Sequence, residues 1–218
     1  MKKLIFIFIM CIGLCGCSKN LDLNSPLVKE LYQKATPSED ASILTKLYEN
    51  SGRFHNSYIL ATAAKNYLND NKSIEVISKE SIEEQVSKIF GTKTSFSHQD
   101  FYLLADNYCG FKYNKDKEEY ILINGCDGDY FHKYLRKITK ATSNDNIIKI
   151  YEKSLYLDTS NNITIYNNVI DKKIIAKNIN KKPEEIDIDN YLNNASTYEY
   201  TFEKINNEYI FTKFQLIK

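Results

Sequence analysis

The first third of the chain has its apolar residues at helical spacing. In "SPLVKELYQKA", Val28, Leu31, Tyr32 and Ala35 recur every three to four residues, with Ser25 placed to cap the helix and Pro26 at its first position. A second stretch, "TPSEDASILTKLYENSG", carries Ile43, Leu44, Leu47 and Tyr48 on one stripe. Thr36 and Glu39 read as a capping box around Pro37, and Gly52 marks the end. From Tyr58 to Leu68 the apolar set Ile59, Leu60, Ala63, Ala64, Tyr67 and Leu68 predicts a third amphipathic helix. Ser78 then heads "KESIEEQVSKIFG", whose inward face is predicted as Ile82, Val86, Ile89 and Phe90 and whose stop signal is Gly91.

Beyond about residue 100 the spacing changes. Tyrosine- and isoleucine-rich runs alternate with Asn, Asp and Lys turns, the signature of hairpins. "CGFKYNKDKEEYILINGC" predicts a hairpin turning near Lys115 to Glu118. "YLRKITKATSNDNIIKIYEKSLYL" predicts a second, turning at Ser143 to Asn146, and "STYEYTFEKINNEYIFTKFQLI" a third, turning at Asn206-Asn207. Between them "TIYNNV" suggests a short strand and "PEEIDIDNYLNNA" a helical turn. Helices first and strands afterwards make the expected fold α+β, with N-terminal amphipathic helices packed on a C-terminal antiparallel sheet of about three hairpins. Without a repeat or a low-complexity linker, residues 26–218 are expected to form a single globular domain, helical over 26–91 and mainly β over 100–218.

The extreme N-terminus follows neither pattern. Lys2 and Lys3 precede eleven uncharged residues, Leu4 to Leu14. A membrane-spanning helix needs roughly 20 residues, so this run is too short to span, and its layout is that of a secretory signal peptide. It ends Leu14-Cys15-Gly16-Cys17, which resembles the bacterial lipobox, where an aliphatic residue, a small residue and Gly or Ala precede an invariant Cys. The resemblance implies that residues 1–16 are removed and that Cys17 becomes a diacylglyceryl-bearing N-terminus. Two acyl chains hold a protein on a bilayer persistently, since each buried CH₂ contributes about 0.8 kcal/mol and a single myristoyl-length chain binds only marginally. Residues 17–25, with the polar run "SKNLDLNS" after Cys17, are expected to be the lipidated Cys and a short tether. The partner this implies is the membrane, and the location is the outer side of the cell membrane.

Composition narrows the function classes. Removing residues 1–16 takes Lys2 and Lys3 from 29 basic residues against 28 acidic ones, which leaves a formal charge near −1. Such a balance offers no electrostatic case for nucleic acid. Only Arg53 and Arg136 are arginines, the residue suited to bidentate phosphate and base recognition. The 17 Tyr suggest a tyrosine-studded recognition surface, but Tyr, Asn, Ile and Lys share AT-rich codons, so an AT-rich genome accounts for the same profile.

Three of five cysteines survive cleavage, and the pair Cys109 and Cys126 brackets the first hairpin. A two-residue turn at Lys117-Glu118 sets Cys109 directly opposite Cys126, Phe111 opposite Asn124 and Tyr113 opposite Leu122. A four-residue loop from Lys115 to Glu118 makes the pair diagonal. Directly opposite Cβ atoms lie about 4.5 to 5.5 Å apart and a disulfide wants about 3.8 Å. A Cys109–Cys126 disulfide is therefore expected either from the direct register or from a bulge at Gly110 or Gly125.

Catalytic and metal signatures are weak. His55, His98 and His132 are far apart, with no HExxH or GxSxG pattern, and the chain has seven glycines and no phosphate loop. "NGCDGDY" gathers Asp127 and Asp129 around Gly128 without the closing Glu of a calcium loop. The acidic pairs Glu83-Glu84, Glu118-Glu119 and Glu184-Glu185 would serve hydrolysis only by converging in a cleft. No cofactor, metal or catalytic residue is expected.

With its "KIFG" helix end, Cys-bracketed hairpin and Tyr-rich closing strands, the chain resembles uncharacterised lipoproteins of AT-rich Gram-positive bacteria, a resemblance that implies location and no activity. The expected function is a non-enzymatic binding or interaction module on the cell envelope, for an envelope protein, peptide or glycan, with the Tyr-rich C-terminal strands as one surface to inspect. The alternative is a cell-envelope hydrolase assembled from scattered His and carboxylates, with His98 or His132 beside an Asp or Glu. A solute-binding lipoprotein ranks last, because it needs parallel βαβ lobes.

Overall fold

The structure, a computed structural model, describes residues 18–36, 54–71, 75–103, 109–123 and 132–217. The predicted helix over 36–52, Cys17, Cys126 and the Asp127/Asp129 loop lie outside the described residues. The fold is α+β with antiparallel sheets.

Helix α1, Pro26–Ala35, starts where local chemistry dictates: the Ser25 hydroxyl accepts from Val28 N at 3.4 Å and Pro26 occupies the first turn. Its buried stripe is Val28, Leu31 and Ala35. Thr36 closes it, with backbone N–H and hydroxyl both donating to Tyr32 O at 2.8 and 2.6 Å. Helix α2, Asn56–Asp70, is capped by His55, whose Nδ1 accepts from Ser57 N at 3.2 Å. Helix α3, Lys79–Phe90, is capped by Ser78, which accepts from Ser81 N at 3.1 Å. It stops at Gly91, whose φ of 88° is open to glycine at little cost.

The strands are β1 Lys19–Asn20, β2 Val76–Ser78, β3 Phe101–Tyr102, β4 Gly110–Asn114, β5 Glu119–Ile123, β6 His132–Asn144, β7 Ile147–Asp158, β8 Ile163–Tyr166, β9 Ile174–Ile179, β10 Ser196–Ile205 and β11 Glu208–Leu216. They form two sheets rather than the one expected. The larger has seven strands in the order β1-β6-β7-β10-β11, with β8 on β7 and β9 on β8. The smaller has four, β2-β5-β4-β3, so the first hairpin is separate from the other two. Strand β7 organises the large sheet: one edge pairs with β6, while along the other Ile147 to Ser154 pair with β10 and Tyr156 to Asp158 with β8.

One core joins the three helices to both sheets, from Val28, Leu60 and Val86 to Phe101 and Phe111 of the small sheet and Ile150, Tyr200 and Phe211 of the large one. Helix α2 is buried without interruption from Tyr58 to Ala64, not along a single stripe. It packs on β3, while the Tyr58 ring lies 5.9 Å from Phe90 and 6.5 Å from Phe211, so partners surround it. The small side chains Ala61, Ala63 and Ala64 allow that close approach. A second core covers the other face of the large sheet at its β8 end, where Leu155, Leu157, Ile163 and Ile165 meet Ile186 and Ala195. Two short 3-10 turns, Pro183–Glu185 and Ile188–Tyr191, lie over it, and Lys137 is tied to Asp189 at 2.6 Å.

One expectation changes and one open alternative is decided. The stretch read as a tether belongs to the sheet: Lys19 pairs with Ser143, Asn20 with Thr142, Leu21 N donates to Ala141 O at 2.9 Å, and Leu21 and Leu23 pack on the core. Alternating leucines in "LDL" present one apolar face to the sheet, and the edge of β6 supplies the backbone partners. The first hairpin takes the four-residue loop, pairing Asn114 with Glu119, Tyr113 with Tyr120 and Phe111 with Leu122. The two-residue register is thereby excluded. The Tyr113 and Tyr120 rings pack tilted at 4.9 Å between centres, and the Asn114 side chain accepts from Asp116 N and Lys117 N, which favours the wider loop.

Candidate functional site

The C-terminal turns of α2 and α3, the outer side of α1 and the β10–β11 tip enclose a groove of about 750 Å³. Its apolar surface comes from Leu27, Leu31, Ile89 and Tyr209. Its polar surface comes from Gln33, Asn66, Asn69, Gln85 and Asn207, with Glu30, Asp70 and Glu208 facing Lys34, Lys88 and Lys204. The hairpin tip is shaped by Asn206 and Asn207, both at positive φ of 50° and 69°, the two-residue turn that matches strand twist.

Lys34 braces the groove. Its ammonium donates to Tyr209 O at 2.8 Å, joining α1 to the hairpin, and Asn66 Nδ2 donates to Lys34 O at 3.1 Å, joining α1 to α2. Burial lowers the Lys34 pKa, while the charges of Glu208 and Glu30 act the other way. Among the described residues, no Ser, Thr, Cys or His lines the groove. The described lining offers hydrogen-bond donors and acceptors over an apolar strip, with charges of both signs.

The histidines stand on separate elements. His55 is a helix cap. His98 lies between α3 and β5, with Nδ1 2.7 Å from Tyr120 Oη and Nε2 3.1 Å from Glu83 Oε1, and its ring stacks on Tyr113. Both ring nitrogens are thus engaged by side chains of the fold, and burial raises the pKa of the Tyr120 phenol. The backbone of His132 pairs with Asp158 at the start of β6. Glu84 engages Lys88 and Glu118 engages Lys79, while Glu185 accepts from Lys182 N. Among the described residues no group of three His, Cys, Asp or Glu is placed to hold a metal, and no helix is long and apolar enough to cross a membrane.

The C-terminal tyrosines divide between core and groove. Tyr198 and Tyr200 are fully buried, as are Tyr58 and Tyr120, whereas Tyr209 lines the groove, so the strands do not present a tyrosine-studded surface as a whole. Tyr200 belongs to a cluster unforeseen in the sequence. Glu152, fully buried on β7, accepts at Oε2 from Tyr200 at 3.0 Å and also from Tyr32 of α1. The Arg136 guanidinium lies 5.5 Å from the Tyr32 ring centre. Burial, then the Glu152 charge, raises the pKa of both phenols well above the ordinary value, with Arg136 opposing. One sequence signal pointed there: Glu152 shares the inward parity of Ile148, Ile150 and Ser154.

Cys109 is buried, its carbonyl accepts from Leu103 N at 2.7 Å, and its sulfur is not a free thiol. The ladder of β4 and β5 ends with Gly110 opposite Ile123, and Cys126 lies outside the described residues.

No family model matches the chain, and neither a curated protein nor a solved structure matches it.

Proposed function

We propose that the chain is an envelope lipoprotein, exported under residues 1–16, anchored through lipid on Cys17, and serving as a non-enzymatic binding module whose groove takes a peptide or glycan. The observation that carries the anchoring is the order Lys2-Lys3, short apolar run, Leu14-Cys15-Gly16-Cys17. The groove supports the binding half: five amide side chains above an apolar strip, with acidic and basic groups nearly balanced, suit a neutral or zwitterionic ligand rich in hydrogen-bonding groups better than a polyanion. A hydrolase has one observation in its favour, the Glu83–His98 contact. Tyr120 occupies the other ring nitrogen of His98, so the triplet reads as a brace between α3 and β5.

Cys126 is the proposed partner of Cys109. The support for this pairing is that the two cysteines bracket the first hairpin in the sequence and that Cys109 is buried and not a free thiol.

Intact mass of protein extracted from its native membrane, before and after reduction and alkylation, tests these assignments. The expected result is loss of residues 1–16, a diacylglyceryl-sized addition on Cys17, and alkylation of two thiols only after reduction. An uncleaved, unmodified chain would overturn the anchoring.

A further inference from the structure

We propose that the end of the large sheet bearing the β6–β7 and β10–β11 turns faces the bilayer, and that Ile147 and Ile205 touch it; this rests on the lipidation of Cys17 proposed above. The direction of β1 sets the geometry. Lys19 pairs with Ser143 and Asn20 with Thr142, so the chain enters the sheet from the side of the Asn144–Asn146 turn. Two peptide units separate Cys17 from Lys19, a reach of about 7 Å. A lipid on Cys17 therefore holds this turn beside the headgroups, with no tether to let the domain tumble.

The second hairpin tip lies at the same end, because Ile147 pairs with Glu203 and Lys204 N donates to Asn146 O at 2.7 Å. Ile147 is 37% and Ile205 48% exposed. Both have the parity opposite to the core residues Ile148 and Phe202, so they stand together on the outer face of adjacent strands. A lone exposed isoleucine needs no explanation. Two on one face, diagonal across adjacent strands and at the end where the acyl chains would leave, match an apolar contact with the bilayer. Charge gives no pull toward anionic lipid: Lys19 and Lys204 face three acidic residues, Asp145, Glu203 and Glu208, around the same turns, so zwitterionic lipid is a sufficient partner. The groove shares the β10–β11 tip, so its ligand would be met close to the membrane surface.

The chain contains no tryptophan, so one introduced indole reports alone. Ile205→Trp places it at the proposed contact. Ile174→Trp places it on β9, 54% exposed, opposite Tyr166 and hence level with Tyr156, roughly 30 Å along β7 from Ile147. Each full-length variant is purified from membranes, checked by intact mass for lipid on Cys17, and reconstituted in phosphatidylcholine vesicles with or without brominated acyl chains. Brominated lipid is expected to cut the Ile205→Trp emission about two-fold, as for a side chain at the headgroup–acyl boundary, and to leave Ile174→Trp unchanged. An unquenched Ile205→Trp, or equal quenching at both sites, on lipidated protein would overturn the orientation alone. Absence of lipid on Cys17 would overturn the orientation together with the anchoring.

Discussion

Replacing Tyr200 with Phe removes a single hydroxyl from the middle of the fold. That hydroxyl donates to Glu152 Oε2 at 3.0 Å, and both residues are fully buried, so no water replaces the bond when it is lost. A hydrogen bond to a charged group contributes about 1.5 to 3 kcal/mol, which puts the cost of Tyr200→Phe near 2 kcal/mol. For a domain of this size that lowers Tm by about 4 to 8 °C. Tyr32 donates to the same oxygen, so the carboxylate keeps a donor and the variant should still fold. In a Glu152→Gln background the acceptor is uncharged, and the same Tyr200→Phe change should cost only about 1 kcal/mol. Urea unfolding followed by far-UV circular dichroism on the two single variants and the double variant gives the coupling directly. A neutral Tyr200→Phe, or an equal penalty in both backgrounds, would refute the assignment of Glu152 as a charged acceptor of the two phenols.

The remaining predictions concern close packing and alkaline pH. A Cβ on Gly110 would sit 2.3 Å from Phe101 O and 2.9 Å from Tyr102 Cα, both backbone atoms, so Gly110→Ala must push β3 off β4. A loss of about 2 kcal/mol or more is expected in urea unfolding, and unchanged stability would count against this pairing. The phenols of Tyr32, Tyr120, Tyr134 and Tyr200 are raised above their ordinary value of 10.0, chiefly by burial, and Tyr156 is pushed up to about 12. Above pH 10 the unfolded chain releases these protons and the folded one retains them, so the unfolded state binds fewer protons and stability falls. The stability is fully present below pH 10. Exposed phenols such as Tyr102 ionise without unfolding, so the tyrosinate absorbance of these five is expected as a later step that coincides with loss of circular dichroism, whereas ionisation of all 17 tyrosines in a still-folded protein would contradict their burial.

Much of the local structure was written in the chain. Ser25 with Pro26 marks the start of α1, and Ser78 with Gly91 both limits of α3, because a helix end is satisfied by groups within four residues of it. The inward set Ile82, Val86, Ile89 and Phe90 follows from helical spacing alone. Turns at Asn206-Asn207 and near Asp145 could be read because these residues tolerate the positive φ found there. Helix α2 was legible as a helix but not as one buried from Tyr58 to Ala64, since a stripe records one neighbour and this helix has several. The Thr36 hydroxyl also closes α1 by donating to Tyr32 O, a role the sequence did not point to.

The two hairpin registers could not be separated in advance: both preserve the side-chain period of two, and the choice rests on how Tyr113, Tyr120 and the Asn114 side chain pack. The division into two sheets, the docking of Lys19–Asn20 on β6 and the groove beneath the β10–β11 tip all join segments distant in sequence. Tyr32 and Glu152 are 120 residues apart. Local sequence thus determined where helices and turns begin and end, because those signals are hydrogen bonds and backbone torsions confined to a few neighbouring residues. Only the tertiary structure decided which faces meet, because a buried carboxylate, an edge strand or a groove is stabilised by partners that no local pattern encodes.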